Sequence, residues 1–118
     1  MAGKMVHFEL PSGDAERAKA FWSGVFGWEF SDPMGVQYWL TRSAEGEGGA
    51  IFTASDDARG LKVYFDTEDI DATMTKIREA GGSASDKLPI PGTGWFSACT
   101  DSEGNDFGVF ESDESVTV

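Results

Sequence analysis

His7 and Glu9 stand two residues apart in the segment Met5-Val6-His7-Phe8-Glu9-Leu10, whose residues alternate in polarity. In an extended strand, side chains two positions apart project from the same face, so an imidazole and a carboxylate would lie side by side there. Such a pair can donate, accept and pass protons near neutral pH. Lys62 and Tyr64 have the same spacing in Leu61-Lys62-Val63-Tyr64-Phe65. A thiol nucleophile is not expected: Cys99 is the single cysteine, His7 the single histidine, and Cys99 lies inside Trp95 to Thr100, which reads as a strand. It is expected to be a buried structural thiol.

The elements that must carry these residues form a repeat. Val6, Phe8 and Leu10 make the apolar face of the first strand, and Pro11-Ser12-Gly13-Asp14 breaks it. Asp14 suits the N-cap of a helix with Ala18, Phe21, Trp22 and Val25 at helical spacing, which Gly27 ends. Strands are expected at Trp28 to Phe30, Val36 to Leu40 and Ala50 to Thr53. The order then recurs: a strand from Leu61 to Phe65, a helix capped by Asp69 and stopped by Gly81-Gly82, and strands at Ser83 to Ser85, Trp95 to Thr100 and Asn105 to Phe110. A shift of 55 residues places His7 on Lys62, Asp14 on Asp69 and Gly27 on Gly82. The expected fold is α+β, one domain of two βαβββ modules, over residues 5–54 and 60–111, joined by the polar stretch Ser55 to Gly60.

At 118 residues the chain has the length of one domain. Its net charge of -12 opposes a phosphate backbone, so no nucleic-acid partner is expected. No apolar run reaches signal-peptide or membrane-spanning length, which leads to the expectation of a cytoplasmic protein with no membrane partner.

Three stretches carry a family likeness: Val6-His7-Phe8 with the Ala-Phe-Trp-Ser-Gly-Val-Phe-Gly-Trp run ending at Trp28; Tyr64 to Asp71 leading to Ile77-Arg78-Glu79-Ala80-Gly81-Gly82; and Asp101-Ser102-Glu103-Gly104-Asn105-Asp106-Phe107. The chain resembles the vicinal oxygen chelate superfamily of glyoxalase, bleomycin-resistance and extradiol dioxygenase proteins. The resemblance implies a curved mixed sheet enclosing a groove, and a homodimer. In metal-using members a His on the first strand, a Glu or His on the fourth, a His on the fifth and a Glu on the eighth meet at a divalent cation. Of these positions only His7 matches. Lys62 stands on the fifth strand, Gly108 on the eighth, and Ala50, Ile51 and Phe52 offer no donor on the fourth. A cation needs at least three donors at about 2.0–2.2 Å, so no metal site and no cofactor are expected.

Strand alternation assigns His7, Glu9, Tyr38, Lys62, Tyr64, Trp95 and Asp106 to the groove, a lining suited to a small organic ligand, aromatic or cationic. Pro89-Ile90-Pro91-Gly92-Thr93-Gly94 is read as a long hairpin connection, with a lid over the groove as the alternative. The leading functional expectation is a metal-independent small-molecule-binding protein. The alternatives are a glyoxalase-like metal-dependent lyase or isomerase, and a drug-sequestering protein similar to bleomycin-resistance members. The two strand faces should respond differently to truncation. Phe8→Ala or Phe65→Ala should cost roughly 3–5 kcal/mol in chemical denaturation, while His7→Ala and Tyr64→Ala should leave a folded protein.

Overall fold

The computed structural model describes residues 3–33, 35–42, 48–53 and 60–117. The chain divides into two compact units, one of His7–Lys62 and one of Val63–Val118 together with Met1–Val6.

In the first unit, β1 (Met5–Ser12) leads into α1 (Ala15–Phe26), followed by β2 (Tyr38–Arg42) and β3 (Gly48–Thr53). The Ser12 hydroxyl accepts from the Asp14 amide at 3.0 Å, and the Asp14 carboxylate accepts from the Arg17 amide at 3.1 Å. Those bonds satisfy amides that a helix start leaves without partners. Gly27 closes the helix in the left-handed region at φ 73, its amide bonded to the Ser23 carbonyl at 2.8 Å. β3 lies centrally, parallel to β1 and antiparallel to β2. The segment Trp28 to Phe30, expected as a strand, is not one: pairing there shrinks to a single bridge between Ser31 and Leu40. Trp28 instead turns its ring onto Trp22 of α1, with centroids 5.1 Å apart and nearly parallel planes. Aromatic stacking at the helix end takes the place of a strand ladder.

A second expectation fails on α1 itself. Helical spacing puts Phe21, and Phe26 four residues after Trp22, on an apolar stripe expected to face the core, yet they are 59% and 60% exposed, and no residue of α1 is fully buried. They extend a ring cluster that includes Trp22 and Trp28. Helical periodicity identifies an apolar stripe but does not say what covers it.

The second unit contains β4 (Lys62–Asp66), α2 (Ile70–Glu79), β5 (Ser83–Ala84), β6 (Leu88–Ile90), β7 (Gly94–Thr100) and β8 (Asp106–Ser112). β8 runs parallel to β4 and antiparallel to β7, while β5 and β6 both pair with β7. Asp69 caps α2 through the Ala72 amide, and the Glu111 carboxylate accepts from the Ile70 amide at 2.8 Å. Ile70 and Met74 of α2 pack on Cys99 and Val109, so Cys99 is buried in the core, as its apolar strand setting suggests. The left-handed turn after α2 falls on Gly81, at φ 97, one residue before the 55-residue shift places it.

The Pro89 to Gly94 segment is neither a long loop nor a lid. β6 pairs directly with β7, and the turn between them is pinned: the Gly92 amide donates to the Val116 carbonyl and the Asp113 amide to the Thr93 carbonyl.

Both units use one packing device on their parallel strand pair. Phe8 pairs with Gly49, and Tyr64 with Gly108. A β-carbon added at either glycine would overlap the facing aromatic ring. Gly49→Ala and Gly108→Ala should therefore each destabilise by about 1–3 kcal/mol. Gly24→Ala, with open space around an α1 position, should stabilise by about 0.5–1 kcal/mol. Urea denaturation midpoints moving in opposite directions are the expected result.

Candidate functional site

The alternation of β1 holds. Phe8 faces the α1 side, where its ring meets Trp28 at 5.7 Å, so His7 and Glu9 face away from α1. Directly paired residues share a face; Glu9 pairs with Ala50, Ala50 with Leu40, and Phe52 with Tyr38. Tyr38 thereby comes to the side that carries His7 and Glu9, from a strand about thirty residues further along.

There the side chains join into a chain of hydrogen bonds. The Tyr38 hydroxyl donates to Glu9 Oε2 at 2.6 Å, and the Tyr38 hydroxyl oxygen itself lies 2.7 Å from His7 Nε2. The imidazole and phenol rings lie at a small interplanar angle of 22°. All three residues are half-buried. Burial lowers the His7 pKa from the ordinary imidazole value, and the Glu9 charge raises it by less, so the neutral ring is favoured. Adjacent polar groups of this kind can bind and orient a ligand that offers complementary donors and acceptors.

Of the other expected site residues, Lys62 ends the first unit, and Tyr64, Trp95 and Asp106 belong to the second. Lys62 opens β4, half-buried, and its position two before Tyr64 puts it on the same strand face as that residue. Tyr64 is only 8% exposed; its ring covers Gly108 and meets Phe96 edge-on at 6.5 Å. It is a packing residue, so Tyr64→Ala should cost stability as Phe8→Ala does, contrary to the sequence-based expectation. Asp106 is exposed at the start of β8, paired with Thr100 at the outer end of the ladder.

Trp95 faces the opposite way from its assignment. It packs against the α2 core cluster, and the Lys87 ammonium sits 4.5 Å from its ring centroid. The residues of β7 on Tyr64's side are Phe96, Ala98 and Thr100, and Phe96 pairs with Phe110 of β8. The signal was present in Ser97 and Cys99, small residues that fit beneath a helix and share Trp95's parity.

Two further carboxylates are perturbed for local reasons. Asp101 is lowered by hydrogen bonds from the Asn105 side chain and amide, and Asp113 by those from Ser115. Each closes its own turn.

The family profile described as a glyoxalase-like domain matches residues 5–110, and the chain belongs to that family, within the vicinal oxygen chelate superfamily. A glyoxylase-like domain-containing protein of Didymella fabae is 30% identical over 118 residues, covering 91% of this chain and 92% of its own. Among solved structures, methylmalonyl-CoA epimerase from Mycobacterium tuberculosis aligns with TM-score 0.71 at 14% identity, over 93% of this chain and 88% of its own. Homoprotocatechuate 2,3-dioxygenase from Brevibacterium fuscum aligns with TM-score 0.74 at 19% identity, over 98% of this chain and 38% of its own. These structural likenesses establish the shared α+β fold.

The divalent cation that the fold family implies does not fit the residues present. Gly108 stands at the expected eighth-strand ligand position, and the Tyr64 ring fills the space a side chain would need. Lys62 is a donor without a lone pair when protonated. Ala50, Ile51 and Phe52 supply no side-chain donor. His7 directs Nε2 at Tyr38. Among the described residues no group of three or more His, Cys, Asp or Glu side chains is placed to hold a metal.

The His7 environment has a consequence for pH. The folded chain holds the imidazole below its unfolded value near 6.5, so the unfolded chain binds the proton more readily in that window. The His7 contribution is fully present above about pH 6.5 and is lost as pH falls through the folded-state value. Denaturation midpoints should drop across this range in the wild type, with a shallower slope in His7→Gln.

Proposed function

We propose that this glyoxalase-like protein binds a small organic molecule without a metal, recognising it with the linked polar groups His7, Tyr38 and Glu9. Any proton transfer would rest on those side chains and not on a Lewis acid. The observation that carries the reading is the continuous hydrogen-bonded chain from His7 through Tyr38 to Glu9. The ring seated on Gly108, where a metal-using relative needs a carboxylate, supports it. A cytoplasmic location and a homodimer belong to the same reading. Among the described residues no helix is long and apolar enough to cross a membrane. The exposed Phe21, Val25 and Phe26 offer apolar surface for self-association.

A second reading is a metal-assisted lyase or isomerase, favoured by structural neighbours that include an epimerase and a dioxygenase. A ligand screen read by Trp fluorescence and thermal shift, with and without added zinc, nickel or manganese, separates the two. Under the leading reading, dialysis against chelator leaves the melting temperature unchanged. Hits are then metal-independent, and Tyr38→Phe weakens them by about tenfold or more, the effect of one lost charge-assisted hydrogen bond. A melting temperature that collapses in chelator and returns with one of these metals overturns the metal-free reading.

A further inference from the structure

We propose that the exposed side of α1 is the surface on which a second copy of this chain docks, the two helices lying antiparallel about a two-fold axis close to Ser23 and Gly24. The proposal rests on the self-association in the reading above and adds the face, the symmetry and the consequence for the polar site.

Helical spacing separates two sides of α1. Ala18 and Trp22 are half-buried, whereas Arg17, Ala20, Phe21, Gly24 and Val25, which recur at helical spacing, are all exposed. Phe21 and Val25 are 59% and 55% exposed. The rings of Phe21 and Phe26 both rest against Trp22, with centroids 5.3 and 5.9 Å away, so the apolar surface is already ordered before anything covers it. Docking on an ordered surface costs less side-chain entropy.

The second unit supplies an internal control. The 55-residue shift that places Asp14 on Asp69 also places Ala20 on Thr75, Phe21 on Lys76, Gly24 on Glu79 and Val25 on Ala80. Those α2 residues are exposed as well, and Thr75, Lys76 and Glu79 are polar. This side of the helix therefore needs no large apolar residue for the module to fold. Gly24 points the same way: a β-carbon there would meet nothing within the chain, and glycine weakens a helix interior, so no internal contact accounts for it.

The pattern along the helix identifies the occupant. In a two-fold contact a patch meets itself, so it must be self-complementary about the axis. Ser23 and Gly24 are small, which lets two helices approach there. Antiparallel packing about that point sets Phe21 of one copy beside Val25 of the other. It also brings the Arg17 end of each helix to the Glu29 end of the other; both residues are exposed, opposite in charge and equally far along the chain from Ser23. Glu16, next to Arg17, is already paired with Lys19 at 2.9 Å. A parallel pair would instead set like charges together at both ends. A foreign cationic partner would find little to hold on a side whose one charge is Arg17, on a chain of net charge -12.

The polar chain is unaffected by this contact. His7 and Glu9 face away from α1, so a copy docked on α1 does not cover them, and each chain keeps its own His7, Tyr38 and Glu9.

The test is size-exclusion chromatography with light scattering on the full chain, without ligand, over a range of micromolar concentrations. The wild type should have a mass about twice the 12.7 kDa of one chain. Val25→Glu and Phe21→Lys, the latter installing the residue type α2 carries at the aligned position, should raise the dimer dissociation constant by about tenfold or more with circular dichroism unchanged. If Phe21→Lys disturbs the ring cluster and does not fold, Val25→Glu decides. Arg17→Glu and Glu29→Arg should each weaken the dimer, and the double variant should regain most of the loss. A monomeric wild type overturns both this proposal and the homodimer reading. A dimer indifferent to Phe21→Lys and Val25→Glu keeps the homodimer and overturns the α1 interface. A double variant no tighter than either single one overturns the antiparallel arrangement.

Discussion

An aromatic ring laid on a glycine across paired parallel strands is the constraint on which each unit depends. In β1 and β3 the ring is Phe8 and the glycine Gly49; in β4 and β8 they are Tyr64 and Gly108. Side chains alternate along a strand, so a slip by one residue would put every face on the wrong side and drive a ring into a side chain instead of a hollow. The glycine thus works as a register pin: it admits one alignment of the parallel pair and rejects its neighbours. The two units set this pin on different parities. Phe8 lies on the α1 side of its sheet. Tyr64 packs with Phe96, on the side opposite the α2 core cluster to which Trp95 and Cys99 belong.

The polar site inherits its geometry from the first of these pins. With Phe8 fixed on Gly49, His7 must pair with Gly48 and Glu9 with Ala50. The antiparallel partner then brings Tyr38 opposite Phe52 and Leu40 opposite Ala50, on the same face. Gly48 and Ala50 are small, which leaves room for a phenol to reach across between an imidazole and a carboxylate two residues apart. The second pin acts in the opposite sense. Seating Tyr64 on Gly108 gives packing to the second unit at a position where a carboxylate ligand would otherwise stand, so in that unit the ring serves stability and forecloses coordination there.

Much of this was legible in the residues. Asp14 and Asp69 announce their helices because a short carboxylate at an N-cap has a specific chemical task, and Gly27 marks a left-handed helix end. The shared face of His7 and Glu9 is legible because period-two alternation is unambiguous on β1. Tyr38 was reached with them, although the bonds that tie the three together depend on a pairing register that no local pattern encodes. Trp95 was misplaced by a single residue of parity: size favoured it as a ligand-facing aromatic, while its buried neighbours Ser97 and Cys99 pointed to the helix side. Trp28 to Phe30 looked like a strand because aromatic residues favour strands, and tertiary stacking on Trp22 overrode that preference. Phe21 and Phe26 show the limit of periodicity, since a helical stripe has the same pattern whether or not something lies over it.

Both ends of the second unit are tied down by segments remote from its middle. The Gly3 amide donates to the Asp66 carbonyl, the Lys4 amide to the Asp66 carboxylate, and the Asp66 amide to the Lys4 carbonyl. At the other end, buried Val116 accepts from Gly92 and so holds the hairpin turn. A ribosome supplies these pieces in order. His7–Lys62 has all its strands and its helix once synthesis passes Lys62, whereas the second unit must wait until residues near Val116 have emerged and can close on a segment made before the first unit. Vectorial synthesis therefore gives the half that carries His7, Tyr38 and Glu9 a head start, and makes a turn translated after the hairpin it holds the clasp of the half made later.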